Sequence, residues 1–350
     1  MPLSAEVSIP SLVRVKPGAV RRAGLYLRRA GLLRVALMQS EGLPAALLPP
    51  LEVGLRDASI SVLQRVSIAE ASFEAASALL AGLPPACQAV IGYGGGKALD
   101  TAKYVSHLAQ IPFLAVPTSL ANDGFASPQS SLTLLAKRRS LPARVPFGVV
   151  IDPDLCLGAP LSLWHSGVGE LASKVTAVAD WKLAFHARGT PVDDYAALLA
   201  DTSVLPFAAH PARDAEGLRL LATGLMLSCM AMAMAGTSRP ASGSEHLVSH
   251  ALDGLSTRPR LHGLQVGLAA YLVSRLQGTT HPRVASLLDA AGFFESVRAD
   301  PFDAQEWLAA IAAAPTMKPD HYTVLSSRDR LPELRALIER DPRLHGCFQR

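Results

Sequence analysis

Cysteine is scarce in this chain and is not arranged for metal binding. The 350 residues include four cysteines, Cys87, Cys156, Cys229 and Cys347, and no C-x-x-C pair occurs. This excludes the common zinc-finger spacings and a disulfide framework, and it favours reduced thiols in a cytoplasmic protein. The N-terminus also lacks a basic segment followed by an apolar core, so we expect no signal peptide.

Long runs of like charge are also lacking. The net charge is only +4, and the densest basic cluster is 137–139 (KRR). Nucleic-acid binding is therefore not expected. A single stretch, 220–236, has no charged residue. It is short for a membrane span and is rich in Ala, Met and Gly, so we interpret it as a buried core helix and expect no membrane span.

Hydrophobic patterning divides the chain into two parts. In the first part, short apolar runs predict strands at 34–38, 60–66, 89–92, 112–117 and 145–152. Helical spacing alternates with them at 44–48, 69–83 and 97–108, the first of these being ended by Pro49-Pro50. From Ser166 onward almost everything has helical spacing, interrupted by prolines. The pattern predicts an α/β domain with a parallel sheet over residues 1–155 and an all-helical domain over 156–350.

Glycines are concentrated where one predicted strand meets the next helix. Gly92, Gly94, Gly95 and Gly96 precede Lys97 in the run GYGGGK. Glycines let a backbone approach an anion, and the first N–H groups of a helix then point towards it. The spacing matches neither GxGxxG nor a P-loop. The run alone therefore indicates a phosphate site, with a tight turn that binds nothing as the alternative.

Two charged residues follow this run on the predicted helix. Asp100 and Lys103 lie one to two helical turns beyond the glycines. Each is compatible with a solvated helix position. Asp100 is equally compatible with a brace that holds the loop through a local hydrogen bond.

Six segments, taken together and in order, carry a family resemblance. They are 92–103 (GYGGGKALDTAK), 117–128 (PTSLANDGFASP), 169–181 (GELASKVTAVADW), 242–250 (SGSEHLVSH), 261–267 (LHGLQVG) and 318–325 (KPDHYTVL). The chain resembles the glycerol-1-phosphate dehydrogenase branch of the iron-containing alcohol dehydrogenase and dehydroquinate synthase-like superfamily. The resemblance implies a Rossmann-like N-terminal domain, a helical C-terminal domain and an active site in the cleft between them. It also implies NAD or NADP and a divalent metal, usually Zn²⁺.

The resemblance carries three metal ligands onto this sequence: Glu170, His246 and His262. One carboxylate and two imidazoles leave an open position for substrate, as a catalytic zinc requires. A satisfied core or surface histidine is the alternative for each His. His250 lies four residues after His246 and shares its helix face. We interpret His250 as a substrate-side residue that relays a proton, with metal binding by both histidines as the alternative.

The resemblance also assigns the substrate and cofactor loops. Asp123, in the segment Asn122-Asp123-Gly124, is the candidate for a hydrogen bond to a substrate hydroxyl, although this tripeptide is also good turn chemistry. The residues expected to bind the cofactor are Gly94, Gly95, Gly96, Lys97, Asp100, Thr118, Ser119 and Ser127.

Three positions depart from the family pattern. Glu170 stands where Asp is usual, Leu264 where Glu is common, and Gln129 where a basic residue often follows the Ser-Pro pair. The change at Leu264 removes a residue that could orient His262. The change at Gln129 removes a charge that could bind a substrate phosphate. The basic cluster at 137–139 could compensate, but a solvated turn is the simpler interpretation.

These features predict a metal-dependent NAD(P)H-linked reduction of dihydroxyacetone phosphate to sn-glycerol 1-phosphate. The alternatives are a related dehydrogenase acting on another polyol or cyclitol, and a non-catalytic nucleotide-binding relative. The partner is expected to be a small polyol phosphate or ketone, and the protein is expected to be a homo-oligomer. The choice between NAD and NADP stays open, because the first strand ends in Gln39-Ser40 rather than Asp.

Overall fold

The structure is a computed structural model that describes residues 9–135 and 137–349. Part of the N-terminal stretch on which the signal-peptide expectation rests lies outside these residues. The chain divides into two compact units between Ala159 and Pro160. The predicted domain boundary at 155/156 falls within the short helix Pro153–Cys156, just before this division.

The N-terminal unit is built on a six-stranded sheet in which every strand pair is parallel. Its strands are β1 (Leu12–Val15), β2 (Arg34–Ser40), β3 (Ser61–Ile68), β4 (Ala89–Gly94), β5 (Phe113–Pro117) and β8 (Gly148–Ile151). Their order across the sheet is β1-β8-β5-β4-β2-β3. An antiparallel pair, β6 (Gln129–Leu134) and β7 (Lys137–Pro142), stands apart from the sheet.

Four helices connect these strands, and a fifth follows β8. They are α1 (Ala23–Arg29), α2 (Leu48–Asp57), α3 (Phe73–Ala81), α4 (Gly96–Ala109) and α5 (Pro153–Cys156). A cluster of fully buried apolar residues fills one side of the sheet, with Leu27 and Leu55 from helices packed against Leu37, Ile91 and Val116 from strands. The predicted parallel α/β fold of this part is confirmed.

Two local predictions are wrong. The short helix predicted at 44–48 is present as a 3₁₀ helix at Ala45–Leu47, but Pro49-Pro50 does not end the helical segment, because both prolines lie in the first turn of α2. Proline suits that position, where its missing N–H would have no helical partner. The basic cluster at 137–139 is not a solvated turn but the start of β7, whose residues there are exposed. An exposed two-stranded ribbon buries little, so its strands lack the apolar alternation that predicts a strand.

The order of the strands locates a ligand-binding edge. From β2 the chain moves outward to β3 and then returns to the other side of β2 with β4. In open α/β sheets, ligands bind outside the carboxyl ends of the strands where the order reverses in this way. In this sheet those ends are Ser40 of β2 and Gly94 of β4.

The C-terminal unit is helical, as predicted. Its helices are α6 (Leu161–Arg188), α7 (Asp194–Thr202), α8 (Leu205–Ala209), α9 (Ala215–Ala235), α10 (Ser244–Leu255), α11 (His262–Gln277), α12 (His281–Ala290), α13 (Phe293–Ala299), α14 (Ala304–Met317) and α15 (Leu331–Arg340). Two short strands, β9 (Phe302–Asp303) and β10 (Phe348–Gln349), pair in parallel.

Helix α9 contains the uncharged stretch. It packs against α6, α7 and α8, and 56% of its most apolar window is buried in the unit. This burial is what a core helix requires, although the helix is also long and apolar enough to cross a membrane.

Helices α6 and α11 approach closely because three glycines line their crossing. A Cβ on Gly267 would lie 2.6 Å from the Cα of Gly169, and a Cβ on Gly263 would collide with the carbonyl of Ser166. No larger residue fits these positions without moving a backbone. Glu170 follows Gly169, and His262 precedes Gly263. The crossing therefore holds Glu170 and His262 opposite each other.

We predict that Gly263→Ala destabilises the C-terminal unit by about 1–3 kcal/mol, because the added methyl group forces the two helices apart. Thermal or urea unfolding monitored by circular dichroism measures this. Gly254→Ala is the control, since a Cβ at this exposed position of α10 meets nothing within 4 Å. Equal stability of the two variants would contradict the role of the crossing.

Candidate metal centre and nucleotide-binding turn

The glycine run forms a turn that only glycine can form at one position. Gly94 has φ +129°, and a Cβ there would collide with the side chain of Ser40. Ser40 Oγ accepts a hydrogen bond of 2.9 Å from the N–H of Gly95, which caps α4. The run thus places the N-terminus of α4 at the sheet edge where the strand order reverses. The geometry fits a phosphate-binding turn.

The loop after β5 is fixed to this turn. Thr118 donates its N–H to the carbonyl of Gly94 at 3.0 Å. Lys103, fully buried, donates its Nζ to the carbonyl of Gly124 at 2.6 Å and pairs with Asp100 at 3.2 Å. Burial raises the pKa of Asp100 although Lys103 opposes this. Neither residue is solvated, and the pair braces the loop rather than facing water.

The other predicted cofactor and substrate residues lie along the same elements. The carbonyl of Asp123 accepts from the N–H groups of Ala126 and Ser127, and the side chain of Asp123 is half-buried. Ser127 is buried and Ser119 half-buried. Lys97 is exposed and donates to the carbonyl of Ala69 at 3.2 Å. Their roles in binding stay predictions.

In the C-terminal unit, the three predicted metal ligands converge. Glu170 comes from α6, His246 from α10 and His262 from the start of α11. One ligand atom from each lies within 4.8 Å of the others. Nε2 of His246 lies 3.3 Å from Oε1 of Glu170, and Nε2 of His262 lies 3.6 Å from Oε2. The side chains of Glu170 and His246 are at most 9% exposed, and that of His262 is 28% exposed.

The chemistry of this group fits a divalent cation. Oε2 of Glu170 is buried and has no hydrogen-bond partner among the described residues, although a carboxylate oxygen in such a place needs one. Burial alone would raise the pKa of Glu170, but Lys174 and the two histidines hold it well below its usual range. Glu170 is therefore ionised and open to a cation on one oxygen.

Glu245 orients His246. Its Oε1 accepts a hydrogen bond of 2.9 Å from Nδ1 of His246, and its Oε2 accepts one of 2.8 Å from Thr176. Burial alone would lower the pKa of His246, but Glu170 and Glu245 raise it to about 9. With Nδ1 donating to Glu245, Nε2 is the ring nitrogen that faces Glu170. Binding of a metal must displace any proton held there.

Ser249 orients His262 in the same way. Its hydroxyl donates to Oε1 of Gln265 at 2.7 Å and so can accept from Nδ1 of His262 at 3.0 Å. Leu264, the residue that departs from the family pattern, is buried. Ser249 on the neighbouring helix α10 thus provides a hydrogen-bond partner for His262, which Leu264 cannot provide.

His250 lies beside the ligand set but is not a member of it. Its ring centroid lies 6.4 Å from that of His246 and 6.1 Å from that of His262. Its ligand atoms do not join the group of three. This arrangement favours the substrate-side interpretation over metal binding by both histidines of α10.

Sequence reasoning missed four residues of these sites: Ser40, Lys174, Glu245 and Ser249. Lys174 follows Glu170 by four positions on one helix, and that spacing could have predicted their contact at 2.5 Å. Glu245 adjoins His246, and neighbours in sequence do not face each other on a helix, so no spacing rule indicates their hydrogen bond.

The fold and the site define a protein with a nucleotide-type α/β unit and a helical unit that carries a three-ligand metal set. Comparison with known families agrees, since residues 14–160 match the model described as iron-containing alcohol dehydrogenase. The glycerol-1-phosphate dehydrogenase [NAD(P)+] of Pyrococcus furiosus is 37% identical over 266 residues, which is 74% of this chain and 75% of that protein. The protein of the same name from Hyperthermus butylicus is 37% identical over 67% of this chain and 69% of its own.

Solved structures share the fold. Glycerol dehydrogenase from Schizosaccharomyces pombe superposes with a TM-score of 0.72 at 16% identity, over 98% of this chain and 92% of that one. Maleylacetate reductase from Agrobacterium tumefaciens superposes with a TM-score of 0.71 at 18% identity, over 99% of each chain. The chain belongs to the glycerol-1-phosphate dehydrogenase family of iron-containing alcohol dehydrogenases. Membership makes NAD(P) and a metal its cofactors and a small molecule its substrate.

We predict that Gly94→Ala weakens NAD(P)H binding about tenfold or more, because the methyl group meets Ser40 and the positive φ disfavours alanine. Fluorescence titration with NADH and NADPH measures this. Gly31→Ala is the matched control, since Gly31 has φ +75° with nothing within 4 Å of its Cβ. Unchanged nucleotide affinity in Gly94→Ala would remove this turn from the cofactor site.

We predict that Glu245→Gln lowers metal affinity about 10- to 100-fold, because the carboxylate that orients and polarises His246 is lost while the shape is kept. Competition with a chromophoric chelator measures the affinity, and thermal unfolding of the metal-free variant reports whether the fold is intact. An intact fold with unchanged affinity would show that Glu245 does not support the ligand set.

Proposed function

We propose that this protein is a metal-dependent glycerol-1-phosphate dehydrogenase that interconverts dihydroxyacetone phosphate and sn-glycerol 1-phosphate with NAD(P)H. The observation that carries the proposal is the convergence of Glu170, His246 and His262, each from a family motif, on one buried point. The named activity of relatives that are 35–37% identical supports the choice of substrate.

When bound, the metal would polarise the substrate carbonyl and stabilise the developing alkoxide, and the nicotinamide would supply the hydride. Glu170, His246 and His262 would hold the metal. Glu245 and Ser249 hold the Nδ1 side of the two imidazoles, which would leave both Nε2 atoms for the metal. His250, beside the set, is the residue we assign to deliver a proton to the product oxygen, and Asp123 is assigned to a substrate hydroxyl.

We propose Zn²⁺ as the metal. One carboxylate and two imidazoles are ligands that zinc accepts, and an open coordination position suits a catalytic site. The family name mentions iron, so metal content is part of the test. The cofactor-binding residues proposed are Gly94, Gly95, Gly96, Lys97, Asp100, Thr118, Ser119 and Ser127.

A second candidate is a dehydrogenase for another polyol or cyclitol. Gln129, where relatives often carry a basic residue, favours it, as does the longer side chain of Glu170. Gln129 starts β6 and donates its backbone N–H to Ser127 Oγ. A non-catalytic nucleotide-binding relative is the third candidate, and the ordered ligand set weighs against it.

The proposal includes a cytoplasmic homo-oligomer. All four cysteines are buried and free, which suits a reducing compartment. Four large apolar side chains on neighbouring helices of the C-terminal unit are 50–64% exposed, and such residues suit an interface between copies: Phe185, Tyr195, Leu198 and Leu205.

The test is a reductase assay with dihydroxyacetone phosphate and unphosphorylated dihydroxyacetone, each with NADH and with NADPH, on protein of measured metal content. We expect turnover of the phosphorylated ketone that is lost on chelation and restored by Zn²⁺. His262→Ala should lose both metal and activity. Turnover of another ketone alone would favour the second candidate, and a metal-free, inactive protein would favour the third.

A further inference from the structure

The loop 256–261 joins the two helices that carry the histidine ligands. His246 lies on α10, and His262 is the first residue of α11. Among the described residues no side chain caps the start of α11, whose N-cap position is occupied by Leu261. A side chain at the first position of a helix moves with the chain that leads into it. The position of His262 therefore depends on what holds this loop.

Arg260, two residues before His262, holds the end of the loop that enters α11. Its side chain is only 11% exposed. Its Nη2 donates to Oδ1 of Asp300 and to the carbonyl of Pro301, both at 3.0 Å. Its Nη1 donates to the carbonyl of Arg258 at 2.8 Å. One guanidinium thus bonds both the backbone of the loop and a neighbouring segment, which its planar fork of donors permits.

Glu306 holds the other end of the loop, where the chain leaves α10. Its Oε1 accepts hydrogen bonds from the N–H of Thr257 at 2.9 Å and from the hydroxyl of Thr257 at 2.8 Å. Its Oε2 accepts one from the hydroxyl of Ser256 at 2.5 Å. These hydrogen bonds lower the pKa of Glu306, so its carboxylate is ionised at neutral pH. The loop is therefore held at both of its ends.

Segment 300–306 carries both acidic residues and is anchored in the core of the C-terminal unit. The N–H of Phe302 donates to the carbonyl of Cys347 at 3.0 Å. The ring of Phe302 is buried, and its centroid lies 5.1 Å from that of Trp307, which is fully buried. Asp303 caps α14 by accepting two backbone N–H groups at 2.8 Å. The loop is thus bonded to a packed segment rather than to a mobile surface.

We propose that the pair Arg260 and Asp300 is a positioning element of the metal centre, which fixes the chain at the start of α11 so that His262 reaches the metal. The inference rests on the proposed function for the presence of a catalytic metal. Arg260 acts on the metal through His262 and is a positioning residue. Groups that orient a ligand in this way commonly set the metal affinity of a site.

Burial separates the two arginines that pair with Asp300. The side chain of Arg258 is 68% exposed, and its Nη2 lies 2.9 Å from both carboxylate oxygens. Exposed ion pairs contribute little, because water screens them and two long side chains must be ordered. Arg260 is shielded from water and also bonds two backbone carbonyls, so its loss should release the loop. Arg258 is therefore the matched control, with the same residue type, partner and loop.

The first experiment measures metal binding without turnover. Affinity for Zn²⁺ is compared in wild type, Arg260→Met and Arg258→Met by competition with a chromophoric chelator. Asp300 is 43% exposed, so water can solvate it in Arg260→Met, and circular dichroism verifies the fold. We expect Arg260→Met to bind Zn²⁺ about tenfold or more weakly, and Arg258→Met to stay within about threefold of wild type. Equal affinities in the three folded proteins would overturn the inference.

The second experiment reports the geometry of the site. In Co²⁺-loaded protein, the visible absorption depends on the number and arrangement of the ligands. We expect this absorption to weaken in Arg260→Met as water replaces His262, and to match wild type in Arg258→Met. Arg260→Lys keeps the charge but not the fork, so it should weaken in the same direction and provides the test if Arg260→Met does not fold. Lower thermal stability with an unchanged Co²⁺ spectrum would assign the pair to the fold alone and overturn the inference.

Turnover of dihydroxyacetone phosphate distinguishes this inference from the proposed function. If wild type is active and Arg260→Met keeps full metal affinity, the inference alone fails. If wild type binds Zn²⁺ in a manner that depends on Arg260 but reduces no ketone, the proposed function fails and the positioning role stands. A wild type that binds neither Zn²⁺ nor Co²⁺ would overturn both.

Discussion

The close approach of α6 and α11 is the constraint on which the rest of the metal centre depends. Gly169, Gly263 and Gly267 themselves place no side chain at the crossing, so the two backbones come close together. Glu170 and His262 are the immediate neighbours of two of these glycines and are therefore placed opposite each other by the backbone itself. A loop would not hold them this firmly, because ligands on packed helices inherit the rigidity of the packing. His246 then needs only one orienting bond, from Glu245, to complete the set.

Charge in the C-terminal unit is organised around one side of α6. Glu170, Lys174 and Asp180 lie on that side, and each is at most 2% exposed. Lys174 neutralises Glu170 in the protein without metal, while Asp180 anchors the N-terminus of α10 and the segment at Val324. Burial and the nearby Glu245 raise the pKa of Asp180 to about 6, and the hydroxyl of Ser244 together with the backbone N–H groups of Ser244 and Val324 opposes this by stabilising the charged form. The helix thus carries the ligand, the counter-charge and the scaffold of the neighbouring segments.

Sequence patterns predicted those parts of the molecule that depend on residues close together in the sequence. The alternation of apolar strands and helices gave the parallel sheet, and the glycines after β4 gave the turn at its edge, since a positive φ such as that of Gly94 requires glycine. The ligand residues came from family motifs, and the structure brings all three together. The predictions that failed concerned patterns that fit more than one structure, and the residues that were missed act on residues distant in the sequence. Pro49-Pro50 fits both the end and the start of a helix, and β7 is too exposed to show a strand pattern. Ser40 and Ser249 act on residues far away in the chain, and no spacing rule relates them.

The departure at Leu264 illustrates how a site can keep its geometry when a family residue changes. Leu264 cannot orient His262 by a hydrogen bond, but Ser249 of the adjacent helix α10, which itself donates to Gln265 of α11, lies within hydrogen-bond distance of Nδ1 of His262.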